Sequence, residues 1–295
     1  MYVSVDGENG ARMRWFGAFS AALVMFTAAS GFASTVPSLA STAEGQLNDW
    51  ACQPDTPDQY PVVLVHGIAD STDAWDLLNE QLTDRGYCTY ALNYGKDGRT
   101  FDAVNGFGPL EQSGDQLTAF VDRVLRSTGS PKVDIVAHSE GGVLAEYYAK
   151  TLGGASKIHA EILLAPDTHG TTMNGLVSFA NATGLRPQTD VAMTAAVCPA
   201  CADLEENSSF MVELGTGPIA APGVTYAVLA TRDDTVVTPA GEASFIDEPG
   251  VVNEFVQDLC PYAHVEHGYF PQDAVARQWI LSQLSSATPA QVTCQ

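Results

Sequence analysis

Residues 133–142 read VDIVAHSEGG, and this stretch decides the fold. The first five residues predict a buried strand, and 141–152 predict the helix that follows it. A serine between a strand and a helix, with small residues two positions before and after it, matches the nucleophile elbow G-x-S-x-G. Ala137 and Gly141 meet that demand. Ser139 is therefore predicted to stand on a tight turn at a helix N-terminus, where developing negative charge is favoured.

Strand and helix patterns alternate on both sides of the elbow. This alternation predicts an α/β fold with a mostly parallel sheet and helices on both faces. Strands are predicted at 61–65, 87–92, 133–137, 158–164, 224–230 and near 251–256 and 263–265; helices are predicted at 72–82, 112–125, 141–152 and 271–284.

Residues 170–222 break the alternation. They have no clear strand and are too long for a simple connection. We interpret them as a cap or lid insertion over the active site, with a rigid excursion as the equal alternative.

A serine hydroxyl needs a histidine to take its proton and a carboxylate to orient that histidine. With a G-x-S-x-G elbow, the acid and then the histidine follow the serine along the chain. Asp233 and Asp234 both follow the strand predicted at 224–230. Asp234 is favoured because it lies two residues before the VVTP segment at 236–239.

Two histidines precede the closing helix, His264 and His267. His267 is favoured because it lies in a turn that opens toward that helix, whereas His264 lies nearer the strand. The predicted triad is thus Ser139, Asp234 and His267.

An oxyanion hole is expected beside the serine. His66, Gly67 and Ile68 follow the first buried strand. In this fold that loop supplies one backbone donor and the residue after the nucleophile supplies the other. The predicted donors are the N–H groups of Ile68 and Glu140, and His66 is expected to pack in the loop.

The net charge of the chain limits the classes of substrate and binding partner that are expected. The chain has 35 acidic and 13 basic residues, a net charge of -22, and 45% hydrophobic residues. Such a surface repels phosphate backbones and anionic headgroups, so nucleic acid is excluded as a partner. Neutral esters and acylglycerols remain as substrates, and the protein is expected to be a monomer.

The N-terminus has the pattern of an export signal. Arg12 and Arg14 precede a run of apolar and small residues at 15–33. We predict a signal peptide over 1–33, cleaved there or as late as 43. An N-terminal arm at 34–58 and a hydrolase domain at 59–295 would follow. The protein is expected to be secreted and extracellular, without a stable membrane anchor.

Six cysteines follow the predicted signal, as expected for disulfides in an exported protein. Cys198 and Cys201 form a CxxC without the second pair that a zinc ribbon needs. A thioredoxin-type role would require this CxxC at a helix N-terminus after a strand, which is not predicted. In-order pairing is one of several possible arrangements.

Several segments together resemble the secreted triacylglycerol lipases and esterases of actinobacteria, in the α/β-hydrolase superfamily. The similarity runs from about Cys52 to Cys294 and is carried by 61–67, 86–95, 137–142, 165–175, 231–239 and 257–268. It implies a carboxylic-ester hydrolase that forms an acyl-enzyme on Ser139, with no metal or other cofactor. It also implies the triad and oxyanion donors given above, and the disulfides Cys52–Cys88, Cys198–Cys201 and Cys260–Cys294.

Two positions depart from the family pattern. Ala137 replaces the first elbow glycine, as in some Bacillus-type lipases. Glu140 stands where Gln or Met is commoner, and an anionic side chain there would oppose the oxyanion unless it points away or is paired.

An acyltransferase or a cutinase-like polyester hydrolase would use the same triad, whereas a non-catalytic binding scaffold would lack part of it.

Overall fold

The computed structural model describes residues 46–56, 59–98, 103–175, 177, 183, 198–285 and 292–294. The predicted signal segment, and the predicted arm up to residue 45, lie outside these ranges. No helix within them is both long and apolar enough to cross a membrane.

A six-stranded parallel sheet forms the centre of the described residues, in the order β2-β1-β3-β4-β5-β6. This confirms the predicted α/β sheet. The strands are β1 Val62–Val65, β2 Thr89–Leu92, β3 Val133–His138, β4 Ile158–Leu164, β5 Thr225–Ala230 and β6 Val252–Phe255.

Helices cover both faces of the sheet. They are α1 Asp76–Thr83, α2 Leu110–Thr128, α3 Glu140–Lys150, α4 Pro199–Asp203, α5 Ser209–Leu214, α6 Val256–Leu259 and α7 Ala274–Leu284. In β1, Val63 and Val65 pack in the core that holds α2 and α3. Val62 and Leu64 pack in the core that holds α1 and α7. Burial on both faces explains the continuous apolar run of this strand.

Two helices differ from their predicted form. The segment 72–82 begins as a 3-10 turn at Thr72–Trp75 before α1. The segment predicted as one helix from 271 is a 3-10 turn at His267–Gln272, followed by α7. Asp273 caps α7 by accepting hydrogen bonds from the N–H groups of Val275 and Ala276.

The described part of 170–222 contains α4 and α5, and an isolated bridge joins Thr171 to Glu205. The Thr171 hydroxyl donates to the Val236 carbonyl at 2.6 Å, so this segment is tied to the loop after β5. The cap or lid role of 170–222 remains a prediction.

The cysteines are joined as Cys52–Cys88, Cys198–Cys201 and Cys260–Cys294. These are the pairs that the family resemblance implied. Cys198 is the N-cap residue of the five-residue helix α4, and within the described residues no strand leads directly into this helix.

Candidate active site

Ser139 occupies a strained turn between β3 and α3. Its φ is 54° and its ψ is −128°, a conformation that residues with a Cβ rarely adopt. A Cβ at Gly141 would lie 2.5 Å from the Val65 carbonyl oxygen and 2.6 Å from that of His66. Helix α3 can therefore start against the end of β1 only if residue 141 is glycine. The turn places the serine at the carboxyl end of the sheet.

The structure brings the three predicted triad residues together. The Nε2 atom of His267 lies 2.9 Å from the Ser139 Oγ atom, and its Nδ1 atom lies 2.8 Å from an Asp234 carboxylate oxygen. All three side chains are buried. This arrangement can move a proton from the hydroxyl to the imidazole while the carboxylate holds the ring in orientation.

The Asp234 carboxylate is fixed by the turn that follows β5. Its second oxygen accepts hydrogen bonds from the N–H groups of Val236 and Val237, each at 2.8 Å. One oxygen is thus occupied by the backbone, and the other is directed at His267. The VVTP segment therefore supplies the donors that orient the acid.

The two alternative candidates pair with each other. His264 Nδ1 lies 3.3 Å from Asp233 Oδ2, and both side chains are more exposed than those of the triad. Asp233 also accepts from the Val265 N–H at 3.3 Å. Among the described residues neither of the two hydrogen-bonds to Ser139. The structure thus separates one His–Asp pair that contacts the serine from one that does not.

Two free backbone donors lie beside Ser139. Within the described part of the chain, no group accepts a hydrogen bond from the N–H of Ile68 or Glu140. The loop that carries Ile68 is held by the Tyr94 hydroxyl, which donates to the His66 carbonyl at 2.7 Å. It is also held by Ala69, whose N–H donates to the Asn105 carbonyl at 3.0 Å. These two N–H groups suit an oxyanion.

A cleft of about 420 Å³ opens onto Ser139 and His267. Its size suits a small organic ligand. Val236 and Tyr269 line it and remain exposed, so apolar surface borders the serine. His138 also lines the cleft, with its ring centroid 4.8 Å from that of His267. Burial, together with positive charge on His267, holds the pKa of His138 well below its usual value, so this wall stays neutral.

The environment of Glu140 favours the neutral form of its side chain, whereas the sequence suggested an anionic one. It is fully buried. Burial, and then the nearby Asp167, raise its pKa well above the usual value. Because a protonated carboxyl carries no charge, this shift in pKa weakens the conflict with an oxyanion that the sequence led us to expect.

Sequence reasoning missed Asp167. This residue follows β4, the neighbour of β3, and its carboxyl is buried, which raises the pKa of Asp167 to about 7 while His267 acts in the opposite direction. The sequence nevertheless indicated the position of Asp167, because residues that directly follow adjacent parallel strands lie at the same edge of a sheet. Applied to the strand predicted at 158–164, that rule places Asp167 near the nucleophile.

A parallel sheet whose third strand ends in a nucleophile elbow, with an acid and a histidine reaching it from later loops, defines an α/β-hydrolase fold. The family model described as Lipase (class 2) matches residues 59–280. The chain belongs to this class 2 lipase family.

Curated relatives carry the name triacylglycerol lipase. The protein of Pseudarthrobacter phenanthrenivorans is 35% identical over 97 residues, which cover 31% of this chain and 28% of that protein. The Vibrio cholerae protein is 29% identical over 178 residues, which cover 55% of this chain and 51% of that protein. The chain spans between about a quarter and a half of the length of the curated relatives it matches.

Solved lipase structures share the fold. Aspergillus fumigatus lipase B matches 78% of this chain and 53% of its own, with a TM-score of 0.60 at 18% identity. The propeptide form of Bacillus licheniformis lipase BlEst2 matches 82% and 53%, with a TM-score of 0.54 at 16% identity. At these identities the likeness concerns the fold alone.

Proposed function

We propose that the protein is a carboxylic-ester hydrolase, specifically a triacylglycerol lipase, that works through an acyl-enzyme on Ser139. The observation that carries this proposal is the buried hydrogen-bonded chain from Ser139 through His267 to Asp234 at a strained turn. Membership of the class 2 lipase family and the triacylglycerol lipases among the relatives support it.

In the first half-reaction, His267 Nε2 takes the proton of Ser139 as the Oγ atom attacks the ester carbonyl carbon. Asp234 keeps the other ring nitrogen protonated and stabilises the imidazolium that forms. The N–H groups of Ile68 and Glu140 hold the oxyanion, and one such donor lowers the barrier by about 3 kcal/mol. His267 then returns the proton to the alcohol, which leaves, and an acyl-enzyme remains.

In the second half-reaction, a water molecule loses a proton to His267 and attacks the acyl carbon. The tetrahedral intermediate collapses, and the proton passes from His267 back to Ser139 as the carboxylic acid leaves. The same base and the same two donors serve both halves.

Charge and cleft chemistry favour a neutral substrate. The net charge of -22 repels anionic substrates, and exposed apolar side chains border the serine. Acylglycerols combine an uncharged ester with apolar acyl chains. We also propose that the protein is secreted, because three disulfides suit an oxidising compartment.

The test is hydrolysis of p-nitrophenyl esters of increasing acyl length, and of a triacylglycerol emulsion, by the full chain. Ser139→Ala should lose activity, whereas Ser127→Ala should keep it, because Ser127 lies in α2, where its hydroxyl donates to the Val124 carbonyl. Equal turnover by wild type and Ser139→Ala would refute the proposal. Product analysis with an added alcohol, and a trial on a polyester film, would reveal acyl transfer or polyester cleavage by the same triad.

A further inference from the structure

The first residues of the segment 170–222 lie along the turn that follows β5. The Thr171 hydroxyl donates to the Val236 carbonyl at 2.6 Å. The Asn174 side-chain amide donates to the Thr235 carbonyl at 2.9 Å. Two side chains that are distant in sequence from the turn therefore hold two successive carbonyl groups of it.

These two carbonyls belong to the peptide groups that orient Asp234. Its Oδ1 atom accepts hydrogen bonds from the N–H groups of Val236 and Val237, each at 2.8 Å. The Thr235 carbonyl and the Val236 N–H are the two ends of one peptide group, and the Val236 carbonyl and the Val237 N–H are the two ends of the next. A peptide group is planar and trans, so its carbonyl and its N–H point in opposite directions. Each group therefore binds a side-chain donor at one end and Asp234 at the other.

Thr171 is anchored by further hydrogen bonds of its own. Its hydroxyl accepts from the N–H groups of Met173 at 3.0 Å and Thr238 at 3.1 Å, so that its bonding capacity is filled together with the bond that it donates. Its own N–H donates to the Leu204 carbonyl at 2.9 Å, and its carbonyl accepts from the Glu206 N–H at 3.1 Å. The residue is also buried. The hydroxyl therefore has a fixed position from which to hold the turn.

The two bonds to the carbonyls act on Asp234 in two ways. They fix the planes of the peptide groups, and they polarise each group, which strengthens the hydrogen bond that its N–H donates. Both effects keep the Oδ1 atom of Asp234 bound to the backbone and leave its Oδ2 atom directed at His267 Nδ1, 2.8 Å away. Asn174 is exposed, so water competes for its bond and its contribution is the smaller of the two.

We propose that Thr171 and Asn174 are positioning residues for Asp234, each of which holds by its carbonyl end one of the two peptide groups that orient this acid. The proposal rests on the proposed function, in which Asp234 orients His267. Within the described part of the chain, neither residue lines the cleft at Ser139. The two residues therefore act on the rate of the chemical step rather than on the binding of substrate.

The first test compares kcat and KM for a p-nitrophenyl ester in wild type, Thr171→Val and Thr171→Ser. Valine keeps the shape of threonine without the hydroxyl, and serine keeps the hydroxyl. Thr171→Val should lower kcat about tenfold and change KM less than about twofold, whereas Thr171→Ser should keep kcat within about threefold of wild type. The matched control is Thr128→Val, which should leave kcat unchanged. Thr128 is also buried, and its hydroxyl donates to the Val124 carbonyl at the end of α2.

The second test asks whether Thr171 acts through Asp234. In an Asp234→Ala background no carboxylate remains for the two N–H groups to orient, so adding Thr171→Val should change kcat less than about twofold. A merely structural loss would persist in that background, because the effects of independent residues add. The same tenfold loss in both backgrounds would overturn the proposal. An unchanged kcat in Thr171→Val, or an equal loss in Thr171→Val and Thr171→Ser, would overturn it as well.

Thermal unfolding of each variant identifies any that does not fold. Should Thr171→Val be such a variant, Asn174→Gly decides the case, because glycine removes the amide and tolerates the φ of 57° at this position. Asn174→Gly should lower kcat about threefold in the otherwise wild-type chain and leave it unchanged in the Asp234→Ala background. An unchanged kcat in the otherwise wild-type chain would then overturn the proposal.

The outcomes separate this proposal from the proposed function. Loss of activity in Ser139→Ala, together with a wild-type kcat in Thr171→Val, would refute the positioning role and leave the proposed function intact. Wild type that is inactive on every ester would instead refute the proposed function.

Discussion

Two His–Asp pairs lie side by side after β5, and they differ in their surroundings rather than in their chemistry. In the first pair, His267 and Asp234 are 2.8 Å apart, with side chains 8% and 3% exposed. In the second, His264 and Asp233 are 3.3 Å apart, with side chains 90% and 36% exposed. The buried pair has a third partner in Ser139, and the exposed pair does not.

In the mechanism that we propose, this difference decides which acid and histidine can act as the proton relay. Charges in a buried, water-poor site interact more strongly than charges in water, so Asp234 can stabilise an imidazolium that forms beside it. An exposed pair is screened and contributes little, typically less than about 1 kcal/mol. Residue type alone cannot distinguish the two pairs, because each consists of one aspartate and one histidine and the two aspartates are adjacent in the sequence.

The largest expected effect comes from removing one histidine at a time. His267→Ala should lower kcat about 10⁶-fold, because the serine then has no base. His264→Ala should leave kcat within about twofold of wild type. Steady-state hydrolysis of a p-nitrophenyl ester measures both, and comparable losses in the two variants would invalidate the distinction between the pairs.

The second-largest effect on kcat is expected from replacing the two aspartates one at a time. Asp234→Asn should lower kcat about 10⁴-fold, because an amide no longer holds His267 in the required tautomer. Asp233→Asn should change kcat less than about threefold, since its carboxylate contacts His264 and the Val265 N–H rather than the triad. If Asp233→Asn were the more damaging variant, the acid would have to be reassigned.

The contrast between buried and exposed groups extends to stability. Burial raises the pKa of Glu146 from 4.5 to about 8, so the folded state binds its proton more tightly than the unfolded state does. Its contribution to stability is fully present below about pH 4.5 and is lost as the pH rises through about 8. Glu146→Gln should therefore raise the melting temperature relative to wild type at pH 8, by on the order of 4 °C, and change it little at pH 5.

Scanning calorimetry at the two pH values checks this prediction. Glu213→Gln, at an exposed position on α5, is the matched control and should show no such pH dependence. The self-repulsion of a chain with a net charge of -22 affects all three proteins in nearly the same way, so the difference between variants isolates the buried carboxyl. If the Glu146→Gln variant had the same pH dependence as wild type, Glu146 would have to be ionised in the folded protein.

The smallest effect is expected at Glu140. Burial raises the pKa of its carboxyl and so favours the neutral form, and Glu140→Gln then replaces one neutral group with another of similar shape. We expect kcat/KM to change less than about threefold at pH 7. An increase of tenfold or more would mean that an ionised Glu140 opposes the oxyanion in wild type.

Local patterns were enough to predict the sheet and the elbow. Burial on both faces makes β1 a continuous apolar run and leaves most of β3 and β5 apolar, and Gly141 is required by the contact between α3 and β1. Chain order then limited the acid to two residues and the histidine to two others. The sequence could favour Asp234 and His267, but only their burial and distance to Ser139 separate them from Asp233 and His264.

The remaining features depend on contacts between distant segments. Asp167 reaches the same edge of the sheet as Ser139 because β4 pairs with β3, and the pKa of Glu140 is raised because the folded chain buries it near Asp167. No pattern within a few residues encodes either environment. The N-terminus of α7 was misjudged for a local reason, because the Asp273 cap starts the helix just after that residue rather than at Pro271.

The most direct test of the relay is covalent trapping of the nucleophile. The full chain is treated with an organophosphonate probe, and the modified peptide is identified by mass spectrometry in wild type, His264→Ala and His267→Ala. We predict a single adduct on Ser139, formed at the same rate in wild type and His264→Ala and at a rate lower by orders of magnitude in His267→Ala. An adduct on another residue, or labelling of Ser139 at the wild-type rate without His267, would contradict the account.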